Sequence, residues 1–267
     1  MPEGDTVYRA ARRLDAALRG QQLVRGELRH PRLVEHDLAG QGVAGVGSVG
    51  KHLFIRFDHG HSLHSHLRMD GSWQLYLPDQ RWRHAGRHAR AVLATAERVA
   101  VGFRLHDMAL LRTSEEHRLV GHLGPDLLDP NWGEAHAGEA LRRLTADPAA
   151  ELGMALLDQR VIAGVGNVYR CELCFLLGVW PWAPVAELAD PAGAISLARA
   201  LLRRNAGRVE RSTTGELARG RRTWVYERSG LPCRRCGALI RRADQGEGVE
   251  ARVVYYCPSC QKPHPCP

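Results

Sequence analysis

The sequence predicts an α+β multidomain protein: an N-terminal helix plus β-sandwich, an α-helical region, and a small cysteine-stapled C-terminal ribbon. Three observations carry this. Residues 22–112 hold short apolar-rich runs at regular intervals, punctuated by Gly, Asp and Pro, the pattern of a sandwich. Residues 134–208 instead carry helical spacing with little strand signal between. Near the end, Cys233-Arg234-Arg235-Cys236 and Cys257-Pro258-Ser259-Cys260 form two Cys-x-x-Cys knuckles with 20 residues between them. A length of 267 residues leaves room for two or three domains.

The chain opens Met1-Pro2-Glu3-Gly4-Asp5-Thr6. Gly4 permits a tight turn, and Asp5 or Thr6 is the expected cap of a helix over residues 6–19. Val7, Ala10, Leu14, Ala17 and Leu18 fall on one face of it. If Met1 is removed, Pro2 becomes a free secondary amine, able to attack a sugar carbon and form a charged iminium. Glu3 stands beside it as a candidate general acid or base. The positive end of the helix dipole disfavours the ammonium form of the amine. Taken alone, these residues also describe an ordinary frayed terminus before a helix.

Strands are expected over residues 22–29, 42–49, 51–57, 62–66, 73–77, 90–95, 99–105 and 109–112. Lys51 starts the third of these. It is one of two lysines in the chain, the other being Lys262, in a protein that otherwise uses arginine. An ammonium can give up a proton where a guanidinium cannot, although a solvated lysine at a strand start is also commonplace. The loop His66-Leu67-Arg68-Met69-Asp70-Gly71 places an apolar Met69 in a polar turn. Residues 78–88 mix Arg81, Arg83 and Arg87 with Trp82, a combination suited to DNA backbone or stacking.

Residues 115–133, broken by Gly121, Gly124, Pro125 and Pro130, read as a linker. Helices follow over 134–145, 149–157, 168–177 and 191–208. Between two of them, Gly164-Val165-Gly166-Asn167 lets the backbone approach another surface, with Asn167 as the expected helix cap. Such an end binds phosphate well, and it is equally a plain N-cap turn. The expected domains are therefore 1–114, a linker over 115–133, 134–222 and 223–267.

The two knuckles suit a four-thiolate tetrahedral site for one structural Zn2+, held by Cys233, Cys236, Cys257 and Cys260 in a zinc ribbon. Residues 239–241 and 253–256 would form its hairpin, and metal would supply the folding energy that so small a ribbon lacks. Cys171 and Cys174 sit in an apolar helix and read as buried thiols. Cys266 reads as a free tail thiol, with His264 a dispensable ligand candidate.

The net charge is +8, and residues 199–242 alone carry 13 Arg against 3 Glu, a polyanion-binding signature. No apolar run approaches a membrane span and no signal-peptide pattern opens the chain. Seven cysteines argue against a full disulfide framework. A bacterial or other intracellular, reducing setting is the expectation.

Together these pieces resemble the formamidopyrimidine-DNA glycosylase and endonuclease VIII family of base-excision repair enzymes. The resemblance runs through Pro2-Glu3-Gly4, Gly50-Lys51, residues 66–71, Gly124-Pro125-Asp126, residues 157–169 and residues 233–261. Gly4 after Pro-Glu resembles the endonuclease VIII branch. The resemblance implies a helix–two-turn–helix domain between sandwich and ribbon, DNA as partner, and a monomer that is cytoplasmic and nucleoid-associated in a bacterium. It also implies a bifunctional DNA glycosylase and abasic-site lyase acting on oxidised pyrimidines. Pro2 would form the Schiff base at C1′ and Glu3 would move protons. Lys51 would contact phosphate and assist β-elimination, and Arg252 would do so for δ-elimination. Asn167 would hold phosphate. Met69, beside Arg68, would fill the gap left by a flipped nucleotide. His66 and His122 fall where DNA contacts are expected.

Three departures stand out. Thr6 replaces a carboxylate carried by many relatives. The knuckles are 20 residues apart where the family usually has about sixteen, implying a longer hairpin around residues 244–250. Leu105-His106-Asp107-Met108-Ala109 lacks the paired Arg and Phe that serve the orphan base in the formamidopyrimidine branch, which points to weak opposite-base selectivity and to single-stranded or bubble DNA. Two rivals are the same scaffold acting mainly on oxidised purines, and a zinc protein that binds damaged DNA without cutting it.

Overall fold

The computed structural model describes residues 2–248 and 251–262. The chain divides into two compact units, Met1–His122 and Leu123–Pro267. The division falls inside the stretch expected to be a linker.

In the first unit, helix α1 (Gly4–Leu18) precedes eight strands: β1 (Arg25–Leu28), β2 (Val43–Val49), β3 (His52–Phe57), β4 (His61–His66), β5 (Ser72–Tyr76), β6 (Ala89–Ala94), β7 (Val99–Phe103) and β8 (Asp107–Arg112). They form two antiparallel four-stranded sheets, ordered β1-β6-β7-β5 and β2-β3-β4-β8. A short helix α2 (His117–Val120) closes the unit. Val7, Ala11, Leu14 and Leu18 of α1 join Leu53, Ile55 and Leu63 in one core. Asp15 ties the helix to the sheet by accepting from the Val46 amide at 2.7 Å.

Helix α1 starts earlier than expected. Glu3 holds the cap position, and its carbonyl accepts from Thr6 at 2.9 Å and Val7 at 3.1 Å. Asp5 and Thr6 already lie inside the helix. Trp82 also departs from expectation. A second apolar cluster, with Tyr76, Val92, Val101 and Phe103, covers the other face of the β6–β7 pair. Trp82 seals it edge-on to Phe103 at 5.9 Å, with the Arg29 guanidinium 5.8 Å above its ring. Its ring belongs to this packing, whereas Arg81, Arg83 and Arg87 are exposed.

The second unit holds α3 (Glu134–Leu144), α4 (Leu152–Leu157), α5 (Asn167–Leu177) and α6 (Pro191–Ala206), then the hairpin β9 (Arg241–Gln245) and β10 (Arg252–Tyr256). Helix α4 begins after the predicted start because the Asp147 side chain takes the Ala149 amide at 3.1 Å, forming a turn across Pro148. Helix α6 is capped by Asp190, which accepts from Gly193 at 2.7 Å, with Pro191 in the first turn. The ribbon has no core of its own: Val254 and Tyr256 share one with Cys171 and Phe175 of α5. Of residues 239–241 only Arg241 belongs to the hairpin, as the first residue of β9, where it pairs with Tyr256. Leu239 bridges Pro232, and Ile240 donates to the Leu231 carbonyl at 3.0 Å, so these two close the knuckle instead. Asp244 and Gln245, expected in the loop, belong to β9.

Candidate active site and metal centre

Pro2 immediately precedes α1 and is half-buried, while Glu3 is fully buried. Lys51 lies in the tight turn between β2 and β3, after Gly50 at φ 57°, a conformation that favours glycine. Beside it, three histidines line β3 and β4. His52 Nδ1 and His64 Nε2 lie 2.9 Å apart, and the His66 ring stands edge-on to His52 at 5.2 Å. Burial first, then neighbouring positive groups, pushes His52 down to about 3 and His66 down to about 4. Lys51 is among the charges acting on His66, and His122 among those acting on His52. These rings are therefore neutral at physiological pH and add no cation to that of Lys51.

The turn after β4 is braced from both sides. Arg68 adopts φ 50°, unusual for a residue with a side chain. Its amide donates to His66 Nδ1 at 3.0 Å, and its guanidinium pairs with Asp107 at 2.6 Å. Burial opposes ionisation of Asp107, but the Arg68 bond and charge, together with His64 and His66, hold the carboxyl below its usual range. Asp70 lies 3.4 Å from His106 and 3.8 Å from Arg104. Gly71 is required here, since a Cβ would meet the Leu67 carbonyl oxygen at 2.5 Å. Met69 is left 68% exposed on this rigid turn, a solvated apolar side chain with a fixed base.

In the second unit the turn before α5 is held by Gln159. Its amide donates to the Leu157 and Val165 carbonyls, both at 2.8 Å, and its oxygen accepts from Gly164 at 3.1 Å. Gly166 takes the cap position and Asn167 is the first helical residue, correcting the expected cap. The Asn167 amide donates to the Val253 carbonyl at 2.8 Å. Asn167 is thereby brought next to β10, whose first residue is the exposed Arg252.

The four knuckle sulfurs lie within 4.8 Å of one another. Cys233 and Cys260 Sγ are 3.9 Å apart, and Cys236 and Cys257 Sγ 3.4 Å. A tetrahedron with metal–sulfur bonds of about 2.3 Å has edges of about 3.8 Å, so the set fits one metal ion. The Arg235 and Cys260 amides each approach a knuckle sulfur at 3.4 Å, favouring the thiolate form. His264 and Cys266 lie outside the described residues.

Residues 1–108 match the formamidopyrimidine-DNA glycosylase N-terminal domain. The chain is 54% identical over 264 residues to a protein of Streptomyces coelicolor named probable endonuclease 8 2, covering 98% of this chain and 94% of that one. It is 47% identical to the DNA-(apurinic or apyrimidinic site) lyase Nei2 of Mycolicibacterium smegmatis, over 98% and 99% of the two chains. This chain belongs to the formamidopyrimidine-DNA glycosylase and endonuclease 8 family. The solved Lactococcus lactis formamidopyrimidine-DNA glycosylase, bound non-covalently to DNA containing an abasic site, has the same fold. It has a TM-score of 0.78 and 23% identity, and the match covers 98% of this chain and 100% of that one.

For this family member, sequence reasoning missed two buried charges on α5. Arg170 is fully buried. Its guanidinium donates to Asn167 Oδ1 at 2.5 Å, to the Val253 and Arg252 carbonyls at 3.1 and 3.4 Å, and to Gln245 Oε1 at 3.2 Å. Gln245 in turn donates to Glu151 and to the Pro181 carbonyl. Glu172, also fully buried, accepts from the Trp224, Val225 and Tyr226 amides at 2.8–2.9 Å and from the Thr213 hydroxyl. Arg170→Ala would strand several buried acceptors, each costing about 1–3 kcal/mol. The expected result is a loss of about 3 kcal/mol or more in urea unfolding. Loss of under about 1 kcal/mol would show that the network contributes little.

Proposed function

We propose that the chain is a bifunctional DNA glycosylase and abasic-site lyase of base-excision repair, acting on oxidised pyrimidines. The observation that carries this is the start of α1: a half-buried Pro2 followed by a fully buried Glu3 at the helix's positive end. Once Met1 is removed, the Pro2 nitrogen attacks C1′ and the bond from C1′ to the base breaks, the departing base taking a proton from water. The nitrogen's own proton passes to Glu3, which returns one to the ring oxygen as the sugar opens to an iminium. Loss of a C2′ proton then expels the 3′ phosphate, and loss of a C4′ proton expels the 5′ phosphate. Lys51 assists the first elimination and Arg252 the second.

Phosphate contacts by Lys51, Asn167 and Arg252 position the strand without reading sequence. Met69 enters the space of the extruded nucleotide, with Arg68, His66 and His122 contributing DNA contacts. The exposure of Met69 supports this role. Cys233, Cys236, Cys257 and Cys260 hold one Zn2+, which folds the hairpin carrying Arg252. The protein works as a monomer on nucleoid DNA in the bacterial cytoplasm. Among the described residues, no helix is long and apolar enough to cross a membrane.

A panel of duplexes with dihydrouracil, thymine glycol or 8-oxoguanine tests the substrate class. Excision of the two pyrimidine lesions is expected to exceed that of 8-oxoguanine by about tenfold or more. Preference for 8-oxoguanine would overturn it. The same lesions in bubbles are expected to be cut at least as well as in matched duplex, because residues 105–109 supply no Arg-Phe pair for the orphan base.

A further inference from the structure

Pairing of α3 and α6 leaves a cleft of about 450 Å³, lined by Trp132, Ala137, Ile195, Ser196, Arg199 and Arg203 among others. None of these residues is among those proposed to act on DNA. Small side chains on the two helices create the space, and Ile195 supplies a buried apolar floor. At the rim stand two cations. Helix α6 carries Arg199, Arg203 and Arg204 and no acidic residue. Among the described residues, neither Arg199 nor Arg203 has an ion-pair partner, and the Arg199 Nε is buried without a hydrogen bond. Partial burial and the neighbouring Arg203 charge both work against the Arg199 cation. A carboxylate or phosphate placed here would relieve that repulsion.

The aromatic group at the cleft discriminates between these anions. Arg199 covers one face of Trp132 at 5.3 Å, and His136 stacks on it at 5.7 Å. Both groups compete with a nucleobase for the indole, and besides the indole N–H, Ser196 is the one neutral hydrogen-bonding side chain in the lining. Asp129, which approaches His136 at 3.7 Å, is also engaged with the Asn131 amide at 2.7 Å. We propose that this cleft docks an acidic peptide segment of a partner protein, its apolar side chain entering over Ile195 and its carboxylates pairing with Arg199 and Arg203. Guanidinium forks match carboxylates bidentately, and the apolar floor selects for an adjacent hydrophobic residue.

The test uses the full-length, zinc-loaded protein and a fluorescein-labelled peptide in which a run of aspartates ends in leucine and phenylalanine. Fluorescence anisotropy should show saturable binding. Arg199→Ala and Arg203→Ala should each weaken it by about tenfold or more, and Arg203→Lys should recover part of the loss. Peptides with asparagine for aspartate, or serine for the two apolar residues, should bind worse by a similar factor. Thermal unfolding and abasic-site cleavage by both arginine variants should match the unsubstituted protein, which separates this site from the lyase. No saturation up to about 1 mM peptide would overturn the proposal. So would displacement of the peptide by a short single-stranded oligonucleotide whose affinity falls in Arg199→Ala, since the cleft would then be a nucleic-acid subsite.

Discussion

Pro2→Gly protein is expected to lose most of its borohydride-trapped DNA adduct, by about a hundredfold or more, while keeping its fold. The reasons are chemical and conformational. A secondary amine gives an iminium with no proton to lose, so the electron sink for both eliminations stays charged. A primary amine gives an imine that can shed its charge. The pyrrolidine ring also fixes the direction of the lone pair, whereas a terminal glycine adds freedom where the chain enters α1. Stability should change little, because Pro2 is only half-buried and the core face of α1 begins at Val7. Protein that retains Met1 should behave like the variant, since Pro2 nitrogen is then an amide. An unreduced adduct yield in Pro2→Gly would assign the covalent chemistry to another amine.

The second large effect is expected at the metal site. Cys257→Ser should cost most of the bound zinc, unfold the hairpin and remove strand cleavage. Structural zinc in small finger peptides binds with about 10–16 kcal/mol, comparable to the whole stability of a typical domain, about 5–15 kcal/mol. The consequences reach beyond the ribbon. Val254 and Tyr256 complete the core over Cys171 and Phe175, and Val253 receives Asn167 and Arg170. Loss of β10 therefore exposes one side of α5 and frees Asn167. Metal analysis, urea unfolding and cleavage of an abasic duplex check this together. Full zinc content with unchanged unfolding would show that Cys257 is not a ligand.

The strands were legible because alternation and turn residues mark them locally, and the knuckles because their spacing is itself the signal. Helix starts were less so. Glu3 and Gly166 hold their cap positions without a side-chain capping bond to the helix, so the usual cap residues nearby drew the prediction inward. Trp82 looked like a stacking residue because its loop is basic; what the loop sequence does not display is that β6 and β7 are apolar on both faces and need a cover. Arg170 and Glu172 were illegible for a physical reason. Apart from Asn167, their partners lie from about forty to eighty residues away along the chain, at Thr213, residues 224–226, Gln245 and residues 252–253, and no local pattern announces a contact of that range. Met69, by contrast, stood out in sequence because an apolar residue in a polar turn has no local explanation, and the structure leaves it in solvent.

Everything in the proposed reaction depends on the nitrogen at the start of α1 becoming covalently joined to deoxyribose. Peptide mapping by mass spectrometry, after borohydride reduction of the zinc-loaded protein on an abasic duplex, tests it directly. The sugar is expected on the N-terminal peptide, at a Pro2 freed of Met1. A modified peptide containing Lys51 instead, or no cross-linked peptide at all from protein with an unblocked Pro2, would contradict it.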